Sequence, residues 1–213
     1  MHPTTIFFDL DDTLYPASSG LWGTLKARMN DYMRDHLGLR EAEIPALRER
    51  YFTQYGTTLR GLQANHKVDT AHYLAYVHDI QLDRYLTPDP IQRAVIAGLK
   101  TRNVIFTNAD ASHARRVLAA LQLDDLFEIV VDVNAMEPYC KPMPEAFAVA
   151  MRSAGVSEAA QCVMIDDLPR TTRAARQLGM FSLLYGGAQA RPDADGAFTD
   201  WRELPALLNS RTG

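Results

Sequence analysis

The sequence predicts an α/β fold: a mostly parallel sheet interrupted by an all-helical insertion after its first strand. From Pro90 onward, short apolar runs alternate with amphipathic helical patterns, the rhythm of parallel strands joined by right-handed crossovers. Ile6-Phe7-Phe8 supplies one further strand near the start, and residues 16–88 carry helical spacing in place of that alternation.

Taken in chain order, Ile6-Phe7-Phe8 is short, apolar and followed at once by polar residues, as a buried strand would be. Leu21, Leu25, Met29, Tyr32, Met33 and Leu37 recur at helical spacing with Lys26, Arg28, Asp31 and Arg34 between them, and Gly38 is a fitting stop. A second helix is predicted from Pro45 to Tyr55 before Gly56, and a shorter one after Asp69. Pro16 and Thr87-Pro88-Asp89-Pro90 mark the crossings between insertion and sheet, which assigns residues 1–15 and 89–213 to the α/β core and 16–88 to the helical unit.

Within the core, residues 103–106, 127–131, 162–165 and 181–185 read as strands. Helices are predicted over 111–121 with Asp110 as N-cap, over 144–154 with Pro144 in the first turn, and over 169–178 closed by Gly179. Residues 186–213 read as a terminal loop followed by a short helix between Asp200 and Leu208.

Bulk properties narrow the function. At 213 residues and 47% hydrophobic content, the chain can bury a sizeable core. A net charge of -4, with Lys and Arg scattered, offers no basic field for a nucleic acid polymer. No run approaches the roughly 20 apolar residues that span a bilayer, and no signal segment opens the chain, so a cytoplasmic protein without a membrane partner is expected. Cys140 and Cys162 are too few for a disulfide framework and are not spaced as a zinc or redox site. Cys162 reads as core and Cys140 as a loop residue.

The residues that carry chemistry follow predicted strand ends. Asp9-Leu10-Asp11-Asp12-Thr13 opens directly after the first strand, where ligands of open α/β sheets collect. A plain turn is the alternative for these residues taken alone. An EF-hand loop is excluded, because Leu14 and Gly20 stand where its turn glycine and its bidentate Glu belong. Three further polar stations lie on the same rim: Thr107-Asn108, Lys141 and Asp166-Asp167. Together they compose a site for a metal ion and a phosphate.

Phosphoryl transfer assigns the roles. Asp9 can attack an anionic phosphoryl group only if cations offset the repulsion, and Mg²⁺ with Lys141 would do so. Asp9, a backbone carbonyl at Asp11 and the Asp166-Asp167 pair would form the metal site, one of that pair binding directly and the other from behind. Thr107 and the amide of Asn108 would bind phosphoryl oxygens. Asp11 would protonate the leaving alcohol and then activate water against the aspartyl-phosphate, a task for which a carboxyl needs a raised pKa.

These residues resemble, in order and spacing, the four motifs of the haloacid dehalogenase-like hydrolase superfamily, and the match covers essentially the whole chain. The resemblance implies a Rossmann-like α/β core with a helical cap inserted after the first motif, and it favours Asp167 over Asp166 as the direct metal ligand. Phe7-Phe8-Asp9-Leu10-Asp11-Asp12-Thr13-Leu14-Tyr15-Pro16, with Glu137-Pro138-Tyr139-Cys140-Lys141-Pro142 and Ile165-Asp166-Asp167, resembles the pyrimidine 5′-nucleotidase branch. That branch implies removal of phosphate from nucleoside monophosphates such as UMP and CMP. Leu168-Pro169-Arg170-Thr171 departs from the pattern, in which a small polar residue commonly stands first and Asn fourth.

A sugar phosphate or phosphoglycolate is the alternative substrate. A haloacid dehalogenase would have no use for an acid at Asp11, since halide leaves without a proton. A phospho-accepting signalling domain would need a persistent phosphoaspartate, which Asp11 would hydrolyse. Substrate choice is expected in the insertion, with Tyr15, Trp22, Arg28, Tyr51, Tyr55, Arg60, His66, Lys67 and Tyr73 as candidates. His66, His72 and His78 recur every six residues, a spacing that does not align on one helix face, and they are not read as metal ligands.

Overall fold

Thr5–Phe8 is buried at every position, as the central strand of a parallel sheet must be. In the computed structural model, which describes residues 3–187 and 192–210, this strand (β1) lies within a six-stranded sheet. Its companions are β2 (Arg102–Phe106), β3 (Ile129–Val131), β4 (Cys162–Asp166), β5 (Phe181–Tyr185) and β6 (Gly196–Phe198). The order is β3-β2-β1-β4-β5-β6 and every pairing is parallel. Strand alternation splits the core into two faces. Ile6 and Phe8 join Ile105, Val163, Ile165, Leu183 and Trp201 on one side. Phe7 joins Val104, Phe106, Met164 and Phe147 on the other.

Four helices occupy the insertion: α1 (Leu21–Asp35), α2 (Ile44–Tyr55), α3 (Thr58–Asn65) and α4 (Thr70–His78). The core helices are α5 (Pro90–Ala97), α6 (Ala111–Ala120), α7 (Pro144–Ser153), α8 (Pro169–Gln177) and α9 (Leu204–Ser210). The expected caps form: Asp69 accepts from the His72 amide, and Asp110 from the amides of Ser112 and His113. α1 stops at Asp35, two residues before the expected Leu37, and Gly38 at φ +64 closes the turn.

The structure adds α3 and α5 to the helices delimited from the sequence, and two further segments differ from expectation. β3 starts at Ile129, because residues 124–126 form a short 3₁₀ turn and Phe127 packs edge-on against Phe8 at 5.3 Å. The segment after β5 is more than a loop and a helix. Gly196–Phe198 adds a sixth strand, held to β5 by parallel pairing, and three residues opened by Gly carry too little periodicity to signal it. The part of the expected loop at 188–191 lies outside the described residues.

The insertion shares one contiguous apolar cluster with the sheet: Leu21, Leu25, Met33 and Leu62 belong with Ile6 and Phe8. α2 and α3 approach so closely that a Cβ on Gly61 would lie 2.2 Å from the Tyr51 ring. Three arginines then tie insertion to core through main-chain carbonyls. Arg60 donates to Val133 and Tyr139, Arg116 to His78 and Ile80, and Arg170 to Phe52 and Gly56. No described helix is long and apolar enough to cross a membrane.

Candidate active site

Parallel pairing places the ends of β1, β2 and β4 side by side, so the residues that follow them share one rim. The Asp9 amide donates to the Ile165 carbonyl at 2.9 Å, which fixes the loop after β1 against the end of β4. Thr13 is fully buried and accepts from the Asp167 amide at 3.1 Å, joining the same two loops.

Lys141 arrives from the loop before α7, and Asn108 holds it there. The Asn108 side chain accepts from the Lys141 amide at 2.9 Å and donates to its carbonyl at 3.1 Å. Lys141 Nζ then donates to Asp9 Oδ1 at 2.6 Å and to Asp166 Oδ2 at 2.7 Å. Asp166 is completely buried, and its other oxygen accepts from the Leu168 amide. Both Asp166 oxygens are therefore occupied. Thr107 is also buried; its Oγ1 accepts from the Ala109 amide, which leaves its hydroxyl proton to donate.

Asp9, Asp166 and Asp167 present oxygens that all lie within 4.8 Å of one another. This crowding has an electrostatic cost. Burial, with Asp166 and Asp11 nearby, raises Asp9 to about 7 despite Lys141. Burial and the charges of Asp9 and Asp166 raise Asp167 to about 9. The two carboxylates paired with Lys141 in turn hold its ammonium above the usual lysine range. Carboxylates pressed together in this way fit a hard divalent cation, whose charge would remove the repulsion.

Asp11 stands apart from that trio. Its Oδ1 accepts from the Tyr15 hydroxyl at 2.7 Å and faces His113 Nε2 at 3.0 Å. Burial pushes its carboxyl up, but His113, Tyr15 and the nearby His78 outweigh it, and the net shift is downward. The raised pKa expected for a proton donor is absent in this arrangement, because two hydrogen-bond donors stabilise the ionised form. Asp12 adopts a left-handed φ of 59, which Asp tolerates better than most residues, and burial beside Asp11 raises it to about 6.

The insertion completes a cavity of about 380 Å³ over these groups. Trp22, Lys26, Arg48, Phe52 and Tyr73 line its helical side. Of the nine residues the sequence suggested for substrate choice, Trp22 and Tyr73 reach this cavity. Several others serve packing. Tyr51 bonds His66 at 2.8 Å, Tyr55 packs on Tyr51, and Arg28 lies over the Tyr76 ring and donates to its carbonyl. Arg60 makes the tie described above, and Tyr15 turns to Asp11. Lys26, Arg48, Phe52 and His113 were missed. Lys26 stands among the polar residues between the apolar positions of its helix, Arg48 and Phe52 carry no signal of their own within the second helix, and His113 stands in an otherwise ordinary amphipathic pattern.

Arg170, in the stretch that departs from the family pattern, stacks over Phe52 at 3.5 Å and clamps the end of α2. Cys162 is core, as expected. Cys140 lies in a loop but is fully buried, with its thiol donating to the Tyr55 carbonyl.

Comparison with known proteins agrees with this geometry. Residues 3–179 match the family model of haloacid dehalogenase-like hydrolases. Phosphate metabolism protein 8 of Saccharomyces cerevisiae is 30% identical over 193 residues, covering 84% of this chain. The chain spans 60% of the length of that relative. Among solved structures, a predicted phosphoglycolate phosphatase from Haemophilus somnus superposes with a TM-score of 0.65 at 17% identity, over 97% of this chain and 98% of that one. A HAD phosphatase from Thermococcus onnurineus gives 0.62 at 22% identity, over 96% and 97%. Both share the fold. With the family model covering most of its length, the chain belongs to the haloacid dehalogenase-like hydrolases.

Proposed function

We propose that the protein is a Mg²⁺-dependent phosphomonoester hydrolase that forms an aspartyl-phosphate on Asp9 and takes nucleoside 5′-monophosphates as substrates. The observation that carries this reading is Asp9 itself: a buried carboxylate paired with Lys141, crowded by Asp166 and Asp167, and open to a cavity. Asp9, Asp167 and the main-chain carbonyl of Asp11 would hold the ion. Asp166, with both oxygens occupied by Lys141 and the Leu168 amide, braces them from behind. Bound Mg²⁺ supplies the positive charge that lets a carboxylate meet a phosphate.

The remaining steps belong to the chain. An Asp9 oxygen attacks phosphorus, the bond to the alcohol oxygen breaks, and Asp11, which must first take up a proton against the hold of His113 and Tyr15, gives that oxygen a proton. Water then attacks the aspartyl-phosphate, Asp11 takes the proton back, and the bond to Asp9 breaks to release phosphate. Lys141, the Thr107 hydroxyl and the Asn108 main-chain amide receive the phosphoryl oxygens. Residues 16–88 act as a cap domain over a core of 1–15 and 89–213, excluding water and meeting the leaving group.

Support for a nucleoside comes from that wall. Trp22 and Phe52 offer aromatic surface, while Arg48 Nε and the Tyr73 hydroxyl are buried without hydrogen-bond partners and line the cavity or its edge. Such donors fit the carbonyl oxygens of a pyrimidine. The same cationic wall favours, as a second reading, a leaving group with a carboxylate, such as phosphoglycolate.

Hydrolysis of p-nitrophenyl phosphate should require Mg²⁺ and fall by at least about 10³-fold in Asp9→Asn; undiminished turnover in that variant refutes the mechanism. UMP and CMP should exceed ribose 5-phosphate and phosphoglycolate in kcat/KM. A reversed order removes the nucleotidase reading and leaves the phosphatase intact.

A further inference from the structure

We infer that His113 is a positioning residue for Asp11, fixing Oδ1 of its carboxyl and leaving Oδ2 as the oxygen that meets the leaving group. The inference rests on Asp11 acting as the acid in the reaction proposed above. His113 sits in the first turn of α6 with its side chain fully buried and Nε2 3.0 Å from Asp11 Oδ1. An ionised carboxylate only accepts, so the nitrogen facing it carries the hydrogen. The other ring nitrogen, Nδ1, is buried with no hydrogen-bond partner, so the contact with Asp11 is the hydrogen bond that orients the ring.

Its ring is held from behind. His78, the last residue of α4, stacks on it with 4.2 Å between centroids and 16° between planes. His78 Nδ1 in turn meets Asp110 Oδ2 at 2.5 Å, while Arg116 grips the carbonyls of His78 and Ile80. The Tyr15 hydroxyl also donates to Asp11 Oδ1, at 2.7 Å. With two donors already directed at Oδ1, Oδ2 is the oxygen left to meet a substrate.

Tyr15 and His113 are not equivalent. Tyr15 belongs to the same loop as Asp11 and shifts with it, whereas His113 refers the carboxyl to α6 and the sheet. Through His78, the seat of the insertion on the core bears on the same group. A mobile acid loses most where the leaving group most needs its proton.

The test compares phenyl phosphate, whose leaving group is as basic as a tyrosine side chain, with p-nitrophenyl phosphate, which needs little protonation. Single-turnover phosphorylation of the 213-residue chain in saturating Mg²⁺ isolates the step. His113→Leu should lower the rate on phenyl phosphate about tenfold more than on p-nitrophenyl phosphate, part of the usual worth of a general acid. His113→Gln, whose amide nitrogen can reach the place of Nε2, should recover most of that selective loss. Equal slowing of both substrates by His113→Leu, or no recovery with Gln, overturns the inference. Asp11→Asn separates the two layers. Selective loss there but not in His113→Leu removes the role of His113 alone, and no selective loss in Asp11→Asn removes the acid and its positioning together. Should His113→Leu not fold, His113→Asn, whose shorter amide stops short of Asp11, gives the same readout.

Discussion

The two walls of the cavity are built on opposite terms. On the sheet side, Asp9, Lys141, Asp166, Asn108 and Thr13 are bonded to one another and to loop amides, so each polar group fixes the next. On the helical side, Arg48 Nε and the Tyr73 hydroxyl have no partner, while the unpartnered atoms of the core side, Asp12 Oδ1, His113 Nδ1 and Arg170 Nε, lie outside that network. A network whose members satisfy one another is rigid and costly to disturb. Unpartnered buried donors gain most from an incoming ligand. On the reading proposed above, the sheet rim would hold the geometry of reaction and the helices the capacity for recognition.

The strongest way to break this contrast is to remove the cation at the centre of the rim. Lys141→Met leaves Asp9 and Asp166 buried without their partner, and should cost about 3–5 kcal/mol in urea unfolding along with nearly all turnover. Added Mg²⁺ should raise the Tm of Lys141→Met more than that of the unsubstituted protein, because an ion among the carboxylates replaces the lost charge. Equal shifts in both proteins would argue against binding among these carboxylates.

Next come the ties between the walls. Arg60 is buried and donates to the carbonyls of Val133 and Tyr139. Arg60→Ala should cost about 2 kcal/mol by the same measurement, the order expected for charged hydrogen bonds.

Gly56 tests the joint more finely. It adopts φ +86, and a Cβ there would lie 2.6 Å from Cys140 Sγ and 3.2 Å from the Lys141 carbonyl. Gly56→Ala should cost about 1–3 kcal/mol. Adding Cys140→Ala should return part of that loss by removing the sulfur, while the backbone strain persists. A double variant no better than the single one would show that strain alone matters.

The smallest effect is expected on the helical wall. Tyr73→Phe removes a hydroxyl that no other residue uses, and should lower kcat/KM for UMP relative to ribose 5-phosphate by about fivefold, roughly 1 kcal/mol. An unchanged ratio would place recognition elsewhere on that wall.

Much of the sheet rim was legible in residue order. Asp9 follows an apolar run, Thr107 and Asp166 follow or end others, and parallel strands deliver such positions to one edge. β6 was not legible, since its three residues depend on β5 for definition. The helical wall was harder still. A helix pattern reveals an apolar stripe, but which polar positions face a cavity depends on how helices cross, so Arg48 looked no different from Arg50. Arg60 shows the reverse error, a plausible recognition residue that serves as a buried tie.

Local chemistry and periodicity were enough to specify the α/β class, the helical insertion and the carboxylates at strand ends, because these follow from spacing along the chain. Contacts between residues distant in sequence supplied the rest: the Asn108 clamp on Lys141, the pairing of His113 with Asp11, and the donors left unsatisfied on the helical wall. The first two depend on how the loops and helices that follow the strands meet, and the last on how the insertion packs against the sheet. Packing is a property of the assembled core, and no window of sequence contains it.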